Sequence, residues 1–193
     1  MGKLYEAIDS RLASWIEAQP VFFVATAPLV ADGLVNVSPK GIRGTFRVLD
    51  EHTFSYVDLT GSGIETVAHL RENGRICVMF CAFEGPPKIV RLHGTGSVVL
   101  CGEPDFDSAV EPFAAAIAVG AREPAARAVV RVDVHRISDA CGRGVPLMGL
   151  RAERDLLDSW SANRGPDGLV RYRRERNAVS LDGLPGLASP DTA

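Results

Sequence analysis

A strand-forming run, Thr53-Phe54-Ser55-Tyr56-Val57, leads into Thr60-Gly61-Ser62-Gly63, and that turn opens a helical pattern marked by Ile64, Val67 and Ala68. Backbone amides at a helix start carry partial positive charge, glycines let them crowd together, and the hydroxyls of Thr60, Ser62 and Thr66 add donors. The stretch therefore has the composition of a phosphate cradle. An ordinary N-cap by Thr60 or Ser62 would use the same residues. Gly61, Gly63 and Thr66 also fall on the three marked positions of the dinucleotide fingerprint, with Thr where Gly or Ala belongs, and Glu84 lies at a ribose-binding distance downstream. That fold, and the similar methyltransferase loop, need strands alternating with crossover helices. Here hairpins precede Tyr56, and Gly85-Pro86-Pro87 leads from Glu84 straight into another strand, a context wrong for both.

Other chemistries find little support. Ser38-Pro39-Lys40 lacks Ser-x-x-Lys spacing, and His52, His69, His93 and His135 have no evident partner in sequence. The cysteines, Cys77, Cys81, Cys101 and Cys141, form no Cys-x-x-Cys pair and have no histidine at zinc-ligand spacing, so free thiols and no metal site are expected. On one strand Cys77 and Cys81 would lie about 13 Å apart, too far to bridge. With 21 Lys and Arg against 24 Asp and Glu, the net charge of −3 supplies no field for nucleic acid. The start has no long apolar core and no later run approaches a membrane span, which leads us to expect a cytoplasmic protein.

The turn must be positioned by the rest of the 193 residues, of which 46% are hydrophobic, enough for one real core. Leu4, Ile8, Leu12, Trp15 and Ile16 recur at helical spacing until Gln19-Pro20. Val21 to Ala27 and Leu34 to Val37 form a hairpin that Ser38-Pro39-Lys40-Gly41 breaks, and Thr45 to Leu49 with Thr53 to Val57 form a second. Gly74 ends the central helix, and Arg75 to Phe80 is the next strand. Lys88 to Leu100 follows, with Gly94 and Gly96 marking a bend or bulge. An alanine-rich helical region from Glu103 to Ala118 contains Pro112, and Arg127 to Ile137 alternates as a strand with one wet face. Six to seven antiparallel strands with helices at their ends predict a mainly β protein built on a small closed or partly closed barrel over residues 1–140. Residues 141–193 are expected to add a helix from Arg151 to Asn163 and an irregular tail past Gly165-Pro166, packing on the barrel or on a partner subunit and frayed at residues 189–193. The run from Arg171 to Asn177 is the densest positive patch of the chain.

Val37 to Gly41 (VSPKG), Phe46 to Asp50 (FRVLD), the stretch DLTGSGIETVAHLRENGRI and Arg91 to Gly96 (RLHGTG) follow in an order that resembles the pyridoxamine 5'-phosphate oxidase-like family of FMN-binding split barrels, in its oxidase-related branch. The resemblance covers about Pro20 to Ile137, and the SLDGLPGL tail from Ser180 to Leu187 shares it. It implies a homodimer holding FMN along the subunit interface, an FMN-dependent oxidoreductase activity on a small molecule, and phosphate contacts at Arg47, Ser62 and Thr66. With the turn itself, the expected cofactor set is Ser38, Lys40, Arg47, Thr60, Gly61, Ser62, Gly63 and Thr66. Trp160, Tyr172 and Arg173 are expected to cap the groove on its substrate side. The chain has Asp50 and Glu51 where the pyridoxamine phosphate oxidases carry a Lys, and Gly63 to Thr66 where they carry Arg-Lys. A substrate other than pyridoxamine phosphate is therefore expected. Flavin chemistry asks little of acid or base side chains, in keeping with the missing triad. The alternatives are a flavin- or heme-binding barrel without turnover, with His93 the candidate axial ligand, and a deazaflavin-dependent reductase.

Overall fold

A computed structural model describes residues 2–187; residues 189–193, expected to fray, lie outside that range. All strands pair antiparallel in one sheet. Its order is β3 (Asn36–Gly41), β2 (Val21–Thr26), β6 (Arg75–Cys81), β7 (Ile89–Leu100), β8 (Ala126–Ala140), β5 (Thr53–Leu59) and β4 (Phe46–Asp50), with the two-residue β1 (Leu4–Tyr5) paired to the far end of β8. The sheet curls into a half-barrel whose two edges, β3 and β4, are joined by the Ile42–Thr45 loop. Its concave face buries Phe22, Phe46, Phe54, Tyr56 and Phe80 as one aromatic cluster, with Phe22 4.8 Å from Phe46 and 5.4 Å from Tyr56 between ring centroids. Each such ring, fully buried, contributes about 1.5–3 kcal/mol. Helices α1 (Ser10–Glu17) and α2 (Glu65–Asn73) close the core through Leu12, Ile16 and Leu70.

Strand β5 is buried on both faces. Phe54 and Tyr56 point into the barrel, while Val57 joins Phe113, Ile117, Ala126 and Val129 in a second cluster outside it, under the short helices α3 (Phe106–Val110) and α4 (Ala114–Ile117) and the 3-10 turn at Glu111–Phe113. Pro112 sits in that turn and divides the alanine-rich segment. The expected bulge occurs at His93/Gly94, where a Cβ on Gly94 would stand 2.0 Å from the Asp133 carbonyl oxygen, so that no side chain fits. Gly74 caps α2 at φ 70° and returns its amide to the Leu70 carbonyl.

Three sequence expectations are corrected. Leu4 belongs to β1 rather than to the first helix, because Leu4 and Tyr5 find hydrogen-bonding partners on β8. Ser38-Pro39-Lys40-Gly41 does not end β3 but completes it, Pro39 being tolerated because β3 is an edge strand whose outer side needs no donor. The tail is not irregular past Gly165-Pro166: after α5 (Arg122–Ala125) and β8, α6 runs from Leu156 to Arg176, with Gly165 (φ 65°, ψ 172°) as its break. Pro166 follows as the first residue of a new helical half, where its missing N–H costs nothing. In an unbroken helix Trp160 and Tyr172 would stand about 18 Å apart. Their ring centroids are 5.0 Å apart, so the two halves fold back on each other.

Candidate functional site

A cleft of about 240 Å³ opens where the end of β3, the Ile42–Thr45 loop and the end of β5 meet. Pro39, Lys40, Gly41, Ile42 and Thr45 form one wall, Asp58, Leu59, Thr60 and Gly61 the other, and Leu157 of α6 stands across it. Ile42 holds φ 75°, a left-handed conformation that costs a β-branched residue about 1–2 kcal/mol. The Thr45 hydroxyl donates toward the carbonyls of Gly41 (3.0 Å) and Ile42 (2.8 Å) and keeps the loop in that shape. Strained residues of this kind cluster at active sites and ligand clamps.

Beneath the cleft lies a charge cluster. Asp58 is 1% exposed, and its carboxylate accepts from Lys40 Nζ through one oxygen and from Arg127 Nε, at 2.8 Å, through the other. Burial pushes this carboxyl up, and Arg127 and Lys40 more than reverse it, leaving the pKa at about 2. The rest of the Arg127 guanidinium donates to the carbonyls of Gly61 (3.0 Å) and Gly63 (2.7 Å) and to Asn177 Oδ1 (2.9 Å). Asn177, fully buried, donates in turn to the Gly61 carbonyl at 2.9 Å. The turn's carbonyls are thus drawn inward onto Arg127 and Asn177. Helix α2, whose N-cap is Ile64, has no side-chain cap.

The expected cofactor residues divide into three groups. Lys40, Thr60 and Gly61 line the cleft, with Ser62 and Gly63 exposed on the outer side of the same turn. The Thr60 hydroxyl is engaged within the protein, donating to the Ala125 carbonyl (2.7 Å) and accepting from Arg173 Nε (2.8 Å). Ser38 and Thr66 meet on Asn36, which accepts from the first at 2.9 Å and donates to the second at 3.0 Å. Thr26 and the buried His69 extend that network. Arg47 stands apart: it pairs with Ser55 across β4 and β5, and its Nε donates to the Pro112 carbonyl at 2.9 Å. In the tail, Trp160 and Tyr172 pack edge to face with the Arg164 guanidinium over both rings, whereas Leu157 and Arg173 reach the cleft and the turn. His93 is exposed on β7 beside a separate shallow groove.

Sequence reasoning missed Asp58, Arg127 and Asn177. An acid between Val57 and Leu59 on a strand buried on both faces is itself a signal, since such a carboxylate needs a cationic partner. No histidine, cysteine or carboxylate cluster able to hold a metal occurs among the described residues. None of the helices there is long and apolar enough to cross a membrane.

Two features bear on whether the site suits the phosphate of FMN. Lys40 and Arg127 bring two positive charges to one carboxylate, leaving the floor cationic. Neither Gly61 nor Gly63 is required by the fold, since φ is not positive at either. A Cβ at Gly61 would meet nothing nearer than 4.0 Å, and one at Gly63 would meet only the movable end of Glu65. Glycine at both positions leaves the turn open to close approach from outside. Glu65, in the first turn of α2, opposes an anion but stands on a flexible side chain. The residues fit the group.

A half-open antiparallel barrel with a strand-to-helix glycine turn beside its split defines a split-barrel protein. The family model for pyridoxamine 5'-phosphate oxidase matches residues 8–141. Over 98% of its length the chain is 40% identical to a pyridoxamine 5'-phosphate oxidase family protein, ustO, of Aspergillus flavus, of which it covers 79%. The crystal structure of HupZ from Group A Streptococcus superposes with a TM-score of 0.53 at 25% identity, covering 74% of this chain and 99% of that one; a histidine-to-alanine variant of the same protein gives 0.53 at 26% identity. This chain belongs to the pyridoxamine 5'-phosphate oxidase family.

Proposed function

We propose that the protein is an FMN-dependent oxidoreductase acting on a small molecule other than pyridoxamine phosphate. The observation that carries this reading is the cationic, glycine-lined turn over Asp58, with more positive charge than its own carboxylate neutralises. Family membership supports it. Lys40, the amides of the turn and Ser62 would hold the phosphate, with Arg127 behind the turn fixing its backbone. When bound, the flavin supplies the two-electron acceptor, and the chain's own part is to hold, orient and shield it. Asp50 is committed locally, its side chain accepting from the His52 amide at 2.8 Å. An acid at this position of the hairpin supports a substrate other than pyridoxamine phosphate.

The cleft, at about 240 Å³, is smaller than the roughly 300–1,000 Å³ of small-molecule sites. We therefore assign its completion to a second copy of the chain, packed against the β3 edge where Val35 and Val37 are exposed. The test is the absorption spectrum of the purified protein together with the mass of its released cofactor. Flavin bands and the mass of FMN support the reading. A Soret band would move the assignment to heme, and a deazaflavin mass to the longer cofactor. Sedimentation at about twice the 20.7 kDa chain mass supports the dimer, and a flavin-loaded monomer at micromolar concentration overturns it.

A further inference from the structure

Behind the turn, separated from the first cleft by Thr60 and Arg127, lies a second cleft of about 480 Å³, within the roughly 300–1,000 Å³ typical of ligand sites. Its apolar surface comes from Leu100 at the end of β7, Val170 of α6, and Ala178 and Leu187 of the final segment. Its polar lining residues are Cys101, Arg127, Arg173 and Arg174. Arg127 is matched by Asp58. Arg173 is half-buried, donates to Thr60 and to the Pro124 carbonyl, and has no carboxylate partner; Arg174, exposed at the mouth of the cleft, has none either, among the described residues. Burial draws the Arg173 pKa down from the ordinary guanidinium value and the charge of Arg127 adds to this, while the Cys101 side chain, hydrogen-bonded to Arg173, works the other way. A cation removed from water against an apolar wall is costly until an anion meets it.

We propose that this second cleft binds a small amphipathic carboxylate, whose anion pairs with Arg173 and Arg174 and whose hydrocarbon body lies on Leu100, Val170, Ala178 and Leu187. An inorganic anion would leave the apolar wall wet, and a neutral hydrocarbon would leave the guanidiniums unmatched. A medium-chain carboxylate satisfies both. The inference does not depend on which cofactor the glycine turn holds.

The test uses the full chain as purified and octanoate as probe, with 1-octanol and acetate as controls, by calorimetric titration. Octanoate is expected to bind about tenfold or more tightly than 1-octanol, the effect of one charge-assisted hydrogen bond, and acetate not measurably. Arg173→Gln should remove the advantage of octanoate over octanol. Because that variant also loses a bond to Thr60 and can fail to fold, Val170→Glu serves independently. Val170 is 42% exposed, and a carboxylate there would pair with the guanidiniums and exclude octanoate. Cys101 lines the same cleft and is exposed, so with Cys141→Ser, which removes the other exposed thiol, octanoate should slow its alkylation. Equal binding of octanoate and octanol, an octanoate affinity unchanged in Val170→Glu, or unchanged Cys101 labelling would overturn the proposal. Mutual exclusion of octanoate and FMN would also overturn it, by making the cleft part of the cofactor's own groove.

Discussion

Replacing Asp58 with Asn preserves shape but removes the carboxylate that Lys40 and Arg127 share. Breaking a buried ion pair from one side costs about 3–5 kcal/mol. Lys40, 22% exposed, can turn partly to water, so the low end, about 3 kcal/mol, is expected. Linkage gives a similar figure: a carboxyl held at about 2 in the folded protein rather than at 3.8 contributes roughly 2 kcal/mol near neutral pH. The folded pKa lies below the unfolded one, so this contribution is fully present above about pH 4 and is lost as pH falls through about 2. Asp58→Asn should therefore lower the melting temperature by about 6–12 °C at neutral pH for a chain of this size, and the gap from the unsubstituted protein should close between about pH 4 and pH 2. Thermal and urea melts of both proteins across that range supply the measurement. A neutral-pH loss under about 1 kcal/mol, or a gap that stays constant through the acid range, would refute the placement of Asp58 between two cations.

Gly61→Ala should leave stability unchanged or raise it by up to about 1 kcal/mol, since the fold does not need glycine there, while weakening FMN; a stability loss without a binding loss would mean that the turn serves only the fold. Lys40→Ala should weaken FMN by about 1.5–3 kcal/mol and riboflavin much less, whereas Arg47→Ala, whose Nε serves Pro112, should change FMN affinity little; the reverse order in a fluorescence titration would place the phosphate on the outer face of β4. Asn177→Ala should cost about 1–3 kcal/mol in urea melts by leaving the Gly61 carbonyl and Arg127 short of a partner, and it should loosen FMN through the turn; unchanged protection of the turn amides in hydrogen exchange would count against that route. Ile42→Gly should relieve backbone strain and stabilise the protein by about 1 kcal/mol, and a destabilised variant would show that the left-handed residue is not strained.

The barrel was legible because its signals are local. The strand formers of β5, the alternation in β8, the Gly94 bulge, the Gly74 cap and the hairpin about Asp50 to His52 each follow from a few neighbouring residues. The glycine turn was legible for the same reason, as a strand entering a helix. What failed locally did so where a distant partner decided: Leu4 became strand because β8 was beside it, and Pro39 stayed in β3 because no strand lies beyond that edge. Gly165-Pro166 signals a break, yet only the packing of Trp160 on Tyr172 turns the break into a helical hairpin.

The site's floor was illegible in a stronger sense. Asp58, Arg127 and Asn177 lie 69 and 50 residues apart in successive steps, and no spacing rule connects them. Residue types and their periods determined that this chain would form an antiparallel barrel with an open glycine turn, because secondary structure answers to side chains within a few residues. The tertiary structure alone decided which charges stand under the turn and that Arg47 does not, because burial first removes water from Asp58 and only then makes a cation from another strand indispensable.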